Sequence, residues 1–497
     1  MSRVSSVRVL STLALALVLA LAGCGGEAGD AGGEAAGIVP ADVALYVSGN
    51  TDFEGEEWRA AEELVRKFPD GERAIGELLS QLEADEGVSF EEDVKPALGP
   101  EVAVAVLDVS ADEPTIVGMT QPRDAAKLDE LLAMGDEPAV SEEVEGWTVF
   151  SDTQESIDRF KEARGGGSLA DSEDFGEAMD GLEDGLVSAY VNGAALRSAA
   201  EGAPDFPEGG LDAFLPEGEF PSFGAVAHAE SEGARLDANA LFAGDVEETG
   251  LVSSSYEAEL PDEVPGDILA YLSFNDLESQ ISRFRDSLAQ LDPEVERQLG
   301  QAEGFLGVSI EEDLAPLFAG EGALYVRRGA PIPEITLLTR VEDEEQAVAT
   351  LDDVVAGLGQ LAPLPLPEPE TTDIAGVQVR QLAIQPLFSL YYGAFDGKLV
   401  VTTAREGVAD LREDDERFAD DDAFEQARDD AGLPDETAGW GYVNLADGLP
   451  LLLDFASVGG DQVPAEARSN TEPLRSVVFY STTDGERLRF SVFLGVK

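Results

Sequence analysis

Apart from its carboxylates, the chain has few side chains suited to acid–base, nucleophilic or metal chemistry. It contains one cysteine, Cys24, and one histidine, His228. A single histidine excludes zinc sites that need two imidazoles, and a single cysteine excludes an intramolecular disulfide framework. No Walker loop, glycine-rich dinucleotide turn, nucleophile elbow or HExxH motif occurs. From the sequence we therefore assign no catalytic residue, no cofactor-binding residue and no metal ligand.

Cys24 lies where a lipid could be attached. Arg3 and Arg8 come before an apolar run, Val9 to Ala22, which is shorter than the roughly 20 residues that a membrane-spanning helix needs. The run ends in Leu-Ala-Gly-Cys, which resembles the lipobox of bacterial lipoproteins, where the cysteine receives a diacylglycerol. The alternative is a secretory leader that contains a cysteine by chance. We predict a signal peptide at 1–23 and lipidation at Cys24.

The segment after Cys24 is rich in Gly, Ala and Glu, so we expect residues 24–37 to form a flexible tether. Such an anchor would hold the protein on the outer face of the cytoplasmic membrane, outside the cytoplasm. The predicted partners are this membrane, through Cys24, and an unidentified envelope partner or ligand.

The charge of the chain is extreme. Its 497 residues include 31 basic and 102 acidic side chains, a formal net charge of −71. Such a surface repels phosphates, so nucleic acid is not expected as a partner. Acidic residues spread over the whole chain, with very few lysines, are consistent with an adaptation of the surface to high salt.

The sequence contains a tandem duplication. Three pairs of blocks recur in the same order: 40–50 with 265–275, 87–96 with 307–316, and 190–192 with 442–444. The paired blocks are offset by 225, 220 and 252 residues, and offsets that differ in this way are expected when one copy contains insertions. We predict copy one at 38–247, a linker at 248–262, and copy two at 263–497 with an insertion at about 357–401.

Each copy has the pattern of an α+β unit. Short segments rich in β-formers alternate with amphipathic stretches of helical period, for example the strand 43–48 and the helix 343–358. We therefore predict two tandem copies of a mostly antiparallel sheet with helices packed on one face.

Several repeated motifs have both a structural and a functional interpretation. Ser89 with Glu92, and Ser309 with Glu312, have the spacing of a capping box, which explains them without a bound cation. The acidic run 410–430 could bind calcium, but it lacks the alternating loop of an EF-hand and favours a solvated acidic helix. The proline-rich run 363–369 favours an exposed spacer over a recognition site for a partner.

Asparagines recur at predicted strand ends. Asn50, Asn275, Asn192 and Asn444 favour side-chain turns, with a pseudo-symmetric polar pocket between the copies as the alternative. His228 lies on a predicted strand, where Tyr480 is its expected counterpart in copy two, and is interpreted as packed and not catalytic.

The leader, the block Val-Pro-Ala-Asp-Val-Ala-Leu-Tyr-Val-Ser-Gly-Asn at 39–50, and the strand with Tyr-Val-Asn-Leu at 442–445 together resemble the bacterial family known as domain of unknown function 3352. The resemblance would cover about 38–497. It implies an extracytoplasmic, often membrane-attached protein, and it supplies no activity, cofactor or catalytic residue.

Three functions remain open from the sequence. The first is a non-enzymatic binding or scaffold lipoprotein of the cell envelope. The second is a solute-binding lipoprotein of a transporter, which would have two lobes of α/β structure. The third is a hydrolase of envelope polysaccharide that uses two carboxylates across a cleft.

Overall fold

The structure, a computed structural model, describes residues 32–108, 114–134, 138–202, 220–247, 252–291, 293–329, 332–361, 367–385, 388–413, 416–458 and 463–497. Twenty strands are described, which we number in chain order. Those of the first copy are β1 Leu45–Asn50, β2 Glu101–Val106, β3 Ile116–Thr120, β4 Val140–Val144, β5 Trp147–Ser151, β6 Val187–Val191, β7 Ser222–Glu230 and β8 Gly233–Leu241. Those that follow are β9 Tyr256–Glu257, β10 Ile268–Phe274, β11 Gly322–Arg327, β12 Glu334–Arg340, β13 Glu370–Ile374, β14 Val377–Gln385, β15 Phe388–Phe395, β16 Lys398–Thr402, β17 Glu436–Thr437, β18 Gly439–Asn444, β19 Leu474–Asp484 and β20 Arg487–Val496.

The described helices of seven or more residues are numbered in the same way. They are α1 Glu56–Arg66, α2 Gly71–Glu86, α3 Ala125–Leu132, α4 Gln154–Ala163, α5 Glu173–Met179, α6 Gly193–Gly202, α7 Leu277–Leu291, α8 Pro293–Leu306, α9 Glu344–Leu361, α10 Glu406–Glu413, α11 Asp422–Ala431, α12 Leu445–Val458 and α13 Ala465–Thr471. Shorter helical turns are given by their residues. No helix in the described ranges has both the length and the apolar character to cross a bilayer.

Eighteen strands form one sheet in which every described pairing is antiparallel. From edge to edge the order is β4-β5-β3-β2-β1-β6-β7-β8-β20-β19-β18-β10-β11-β12-β16-β15-β14-β13. Strands β9 and β17 pair separately. Counted outward from β8 in copy one and from β20 in copy two, corresponding strands follow one another in the same order. The two copies therefore share one topology. The mixed α+β class with a mostly antiparallel sheet is confirmed.

A pseudo-two-fold axis relates the copies. Tyr190 is opposite Gly224, and its repeat Tyr442 is opposite Val478, so the last hairpins of the two copies correspond at a constant offset of 254 residues. At that offset Asp237 corresponds to Ser491, and these two residues are also direct partners where β8 pairs with β20. The axis therefore passes through this pair, and the two copies form a continuous sheet.

The sheet carries helices on both faces. One face, here the tyrosine face, buries Tyr46, Tyr190, Tyr271, Tyr325 and Tyr442. On it lie α4 and α5 in copy one, and α10 and α11 in copy two. The opposite face, here the leucine face, carries α1 and α3 in copy one. The predicted packing of helices on one face is thus wrong, because central strands such as β1 and β2 are apolar on both sides and need cover on both.

Two segments that the sequence places outside the copies belong to them. Residues Gly32–Gly37, here the first strap, form a 3₁₀ turn with Ala35 and Ala36 buried in the core of copy one. Residues Tyr256–Asp262, here the second strap, end in a similar turn, with Leu260 buried in the core of copy two. The predicted tether 24–37 and linker 248–262 each extend too far, because these short segments, poor in large apolar residues, gave no sign of burial.

The predicted insertion forms sheet. Where copy one has the hairpin β4–β5 next to β3, copy two has β15–β16 next to β12 and then two further strands, β14 and β13. These added strands lie within 357–401 and extend the sheet at its edge.

Candidate functional site

The leucine face of copy two is partly uncovered. Its floor consists of Leu272 on β10, Leu324 on β11 and Ile335 on β12, which are 39%, 39% and 45% exposed. Leu272 pairs with Leu324, and Leu324 pairs in turn with Leu337 of β12, so these side chains form one continuous apolar strip. We call this floor, together with the helices around it, the open face.

Helix α12 borders the open face on one side. It contacts β10, β18 and β19. Since α11 already covers the tyrosine face of these strands, α12 lies on the leucine face. Its sequence LADGLPLLLDFASV is strongly apolar, yet Leu452 and Phe455 are 65% and 71% exposed. An apolar helix that leaves its largest side chains in solvent is unusual for a soluble protein and marks an interaction surface.

Three other helices complete the border. Helix α9 packs over β15 and β16, and α8 packs against α9, where Gly357 lets the backbone of Leu306 approach closely. Helix α7 packs on the turn Ala315–Phe318 and leaves Phe284 exposed. The exposed large apolar side chains of these helices are Phe284, Phe305 and Leu358.

Copy one shows what covers the same floor. Val47 and Val104, the counterparts of Leu272 and Leu324, pack against the same buried cluster as the partly buried aromatic side chains of Phe53, Trp58 and Phe90. Phe53 lies 4.8 Å from Trp58 and 5.2 Å from Phe90, measured between ring centroids. Phe53 and Trp58 follow Asn50 by three and eight residues. At the same sequence spacing after Asn275, copy two has Glu278 and Arg283. The aromatic cover is therefore absent from copy two.

The asymmetry extends over the whole described surface. Every large apolar side chain that is exposed there belongs to copy two, except Leu236 on β8 at the seam. No floor residue is charged in a chain of net charge −71. The open face can thus bind an apolar group, and its floor offers no side chain for acid–base chemistry.

A second notable feature is a pair of carboxylates, one partly buried (Glu101) and one buried (Glu321), that bind the backbone of the straps. Glu101 accepts the backbone N–H groups of Glu34 and Ala35, and Glu321 accepts those of Glu259 and Leu260. Glu101 begins the second strand of copy one, Glu321 directly precedes that of copy two, and both lie on the tyrosine face. Sequence reasoning missed them, since nothing singles them out among 102 acidic residues except their equivalent place in the two copies.

The predicted capping residues cap helices, with one difference. The hydroxyls of Ser89 and Ser309 accept the N–H groups of Glu92 and Glu312 as expected. However, the side chain that reaches back to the cap is Asp93 or Asp313, not the glutamate. The reason is that each helix starts with a wider π-helical turn, Phe90–Val94 or Ile310–Leu314, which brings the fourth residue over the cap.

Three of the four strand-end asparagines form local turns with their side chains. Asn50 accepts the N–H of Asp52, Asn192 that of Ala195, and Asn444 that of Asp447. The latter two thereby cap α6 and α12. These contacts agree with the interpretation as side-chain turns and not with a polar pocket between the copies.

His228 is packed, as predicted, and is 7% exposed. Its Nδ1 lies 3.1 Å from the carbonyl oxygen of Asp184, and its Nε2 lies 3.3 Å from a carboxylate oxygen of Asp237. Its counterpart in copy two is Thr482 and not Tyr480, because the hairpins correspond at an offset of 254.

Of the remaining predicted sites, some lie in the described part of the chain and others lie outside it. In the acidic run 410–430, Phe418, Phe424 and Ala427 are buried in the core while most of the carboxylates face solvent, as expected for a solvated acidic helix. Within the described ranges, no cluster of three or more His, Cys, Asp or Glu side chains is arranged to hold a metal ion. Cys24, the signal peptide 1–23 and most of the proline-rich run 363–369 lie outside the described residues.

The fold and the open face define a class: a tandemly duplicated α+β protein built on one antiparallel sheet, with an apolar surface on its second copy. The model of the family described as "Protein of unknown function (DUF3352)" matches residues 4–135 and 135–496. The chain belongs to this family, whose function is uncharacterised.

Comparisons with curated proteins and with solved structures add little to this family assignment. No curated protein matches the chain. Among solved structures, the one described as "Structure of crystal form IV of TP0453" matches with 11% sequence identity and a TM-score of 0.24, covering 48% of this chain and 94% of that one. A similarity at this TM-score does not establish a shared fold.

Proposed function

We propose that the protein is a membrane-anchored, extracytoplasmic lipoprotein without enzymatic activity, and that its open face binds the acyl chain of a membrane lipid. The observation that carries the proposal is the exposed strip of Leu272, Leu324 and Ile335. In copy one the counterparts of the two leucines, Val47 and Val104, are less exposed and pack against the same core cluster as Phe53, Trp58 and Phe90. A surface of aliphatic and phenylalanine side chains without hydrogen-bonding groups suits a hydrocarbon chain.

Charge and location support this ligand. The predicted lipid at Cys24 would hold the domain beside a bilayer, where acyl chains are the most abundant apolar groups. A net charge of −71 opposes anionic head groups, so the expected ligand is a lipid with a zwitterionic or neutral head group.

The other candidate functions have less support. A solute-binding lipoprotein would have parallel sheets in two lobes, whereas the described strands pair antiparallel throughout one sheet. For a carboxylate-dependent hydrolase, the floor of the open face supplies no pair of opposed carboxylates.

The test uses the chain from residue 25 onward, which keeps every described element. We would measure the fluorescence of Nile red on titration with protein, and its displacement by palmitoyl-lysophosphatidylcholine below the micellar concentration. Saturable binding and displacement are expected. Leu324→Gln should weaken displacement by about tenfold, since burying a leucine contributes about 1.5–3 kcal/mol.

The matched control is Leu236→Gln. Leu236 lies on the same face at the seam and is 43% exposed, close to the value for Leu324, but it is outside the open face. Equal losses in both variants, or binding that does not saturate, would contradict the proposal. A concentration-dependent dimer that excludes Nile red would instead identify the open face as a contact between two copies of the chain.

A further inference from the structure

A cavity of about 650 Å³ lies in copy two where α9 begins, at the other end of β12 from Ile335. Part of its wall is apolar and includes the buried residues Leu317 and Ala347. Five acidic residues also line it: Glu278, Glu312, Asp313, Glu342 and Asp343. The one basic residue in this lining, Arg340, forms ion pairs with three glutamates that do not line the cavity. The cavity is therefore partly apolar and strongly acidic.

Two capping contacts establish which residues of the copies correspond here. Asp93 and Asp313 each accept the N–H of the serine that begins a π-helical turn, and they are 220 residues apart. Asp124 and Asp343 cap α3 and α9, and they are 219 residues apart. The surroundings of the cavity can therefore be compared with the same place in copy one, residue by residue.

In copy one this place holds a cation. Lys127 of α3, which corresponds to Gln346 of α9, has its Nζ 3.2 Å from a carboxylate oxygen of Asp93 and 3.1 Å from one of Glu130. Gln346 is neutral and lines the cavity, and no ion pair of Asp313 with a described lysine or arginine occurs. The carboxylate that binds an ammonium group in copy one thus has no such partner from the described chain in copy two.

The apolar bulk around the lysine is also reduced in copy two. Three apolar side chains of copy one are replaced by smaller or acidic ones: Leu128 by Ala347, Leu131 by Thr350, and Phe53 by Glu278. In copy one the two leucines are 1% and 4% exposed and belong to one core cluster. In addition Arg123, which pairs with Asp52 at 3.1 Å, is replaced by Glu342. Copy two therefore lacks both the cations and the side chains that fill this place in copy one.

We propose that the cavity binds a linear alkyl amine, whose ammonium group lies on Asp313 as that of Lys127 lies on Asp93. The hydrocarbon part of the amine packs on Leu317 and Ala347, since an aliphatic stem that carries a charged end group suits a site with apolar and acidic walls. The further carboxylates of the lining favour an amine with two positive charges over one with a single charge. This site is separate from the open face and does not depend on the function proposed for that surface.

The experiment is a calorimetric titration of the chain from residue 25 onward with 1,5-diaminopentane, at pH 7.5 and 0.15 M NaCl. Under these conditions the Debye length is about 8 Å, which limits the attraction of the amine to the acidic surface as a whole. We expect saturable binding at one site per chain. Pentane-1,5-diol has the same length without charge and should give no binding. Heat that does not saturate, or equal binding of the diol, would overturn the proposal.

Two variants restore features of copy one. Gln346→Lys supplies the cation, and Ala347→Leu supplies the bulk of Leu128. Each should weaken binding by at least about tenfold, because the lysine competes for Asp313 and the leucine occupies the cavity. Gln346 is exposed, so the lysine is not expected to disturb the fold.

The matched control is Gln301→Lys. Gln301 is exposed on α8, does not line the cavity, and undergoes the same change of charge. It should change the affinity by less than about twofold. Equal losses in Gln346→Lys and Gln301→Lys, or no loss in either, would overturn the proposal. Leu324→Gln should leave amine binding unchanged, and a loss in that variant equal to that of Gln346→Lys would place the amine on the open face instead.

Discussion

At the scale of single residues, glycines opposite phenylalanines are points where the sheet tolerates no extra atom. The ring of Phe274 lies across Gly322, so that a Cβ at Gly322 would come within 2.1 Å of it. The same ring packs 6.4 Å from Phe318, centroid to centroid, at the covered end of the leucine face. The position of Phe274 therefore depends on the absence of a side chain at 322.

Gly322→Ala is predicted to destabilise the protein by about 1–3 kcal/mol, since the ring must move against a packed neighbour. Urea unfolding followed by circular dichroism measures this loss. Gly76→Ala is the control: Gly76 lies inside α2, and a Cβ there would meet no other atom within 4 Å, so alanine should stabilise by about 0.5–1 kcal/mol. A neutral result at 322 would mean that the ring moves without cost.

At the scale of elements, the π-helical starts of the two copies allow a test of which acid completes the cap. Asp313 binds the N–H of Ser309 at 2.7 Å, whereas the side chain of Glu312 is exposed. We predict that Asp313→Ala costs about 1 kcal/mol and Glu312→Ala costs much less. The midpoints of urea unfolding compare the two variants directly. A greater loss in Glu312→Ala would restore the capping box expected from the sequence.

The elements also show what a sequence alone can reveal here. The duplication was visible because Tyr46 and Tyr271 occupy buried positions of central strands, where packing restricts the residue type. The hairpin β4–β5 was missed because Val140–Val144 is interrupted by acidic residues, and its only signal is the turn Glu145–Gly146, with φ values of 51° and 88°. The open face was missed because the apolar pattern of a strand identifies its apolar face but not whether a helix packs over that face.

At the scale of the whole molecule, the two copies are joined along the seam where β8 pairs with β20. Strands β8 and β20 pair over nine residues, from Gly233 with Gly495 to Leu241 with Arg487. Behind them, Leu64 of copy one packs in one cluster with Val496 of copy two. The core of each copy thus continues into the other, so neither half should unfold alone.

We predict one calorimetric unfolding transition for the chain from residue 25 onward. Leu64→Ala should lower the temperature of that single transition, with a cost of about 2–4 kcal/mol, because it removes a buried side chain at the junction. Two separate transitions in the unsubstituted chain, or a variant in which only part of the heat absorption shifts, would show that the copies unfold independently.

The charge acts on this same single unit. At net charge −71, carboxylates repel one another across the whole surface, and compact folding brings them closer than they are in the unfolded chain. Added salt screens this repulsion, with a Debye length of about 10 Å at 0.1 M and 3 Å at 1 M. We therefore expect the melting temperature at pH 7.5 to rise steadily with NaCl from 0.1 to 2 M. The same titration at pH 4.5, where part of the carboxylates are protonated, should give a smaller rise. A flat or falling curve at pH 7.5 would show that local ion pairs, such as Arg327 with Asp410 at 2.8 Å, matter more for stability than the overall repulsion.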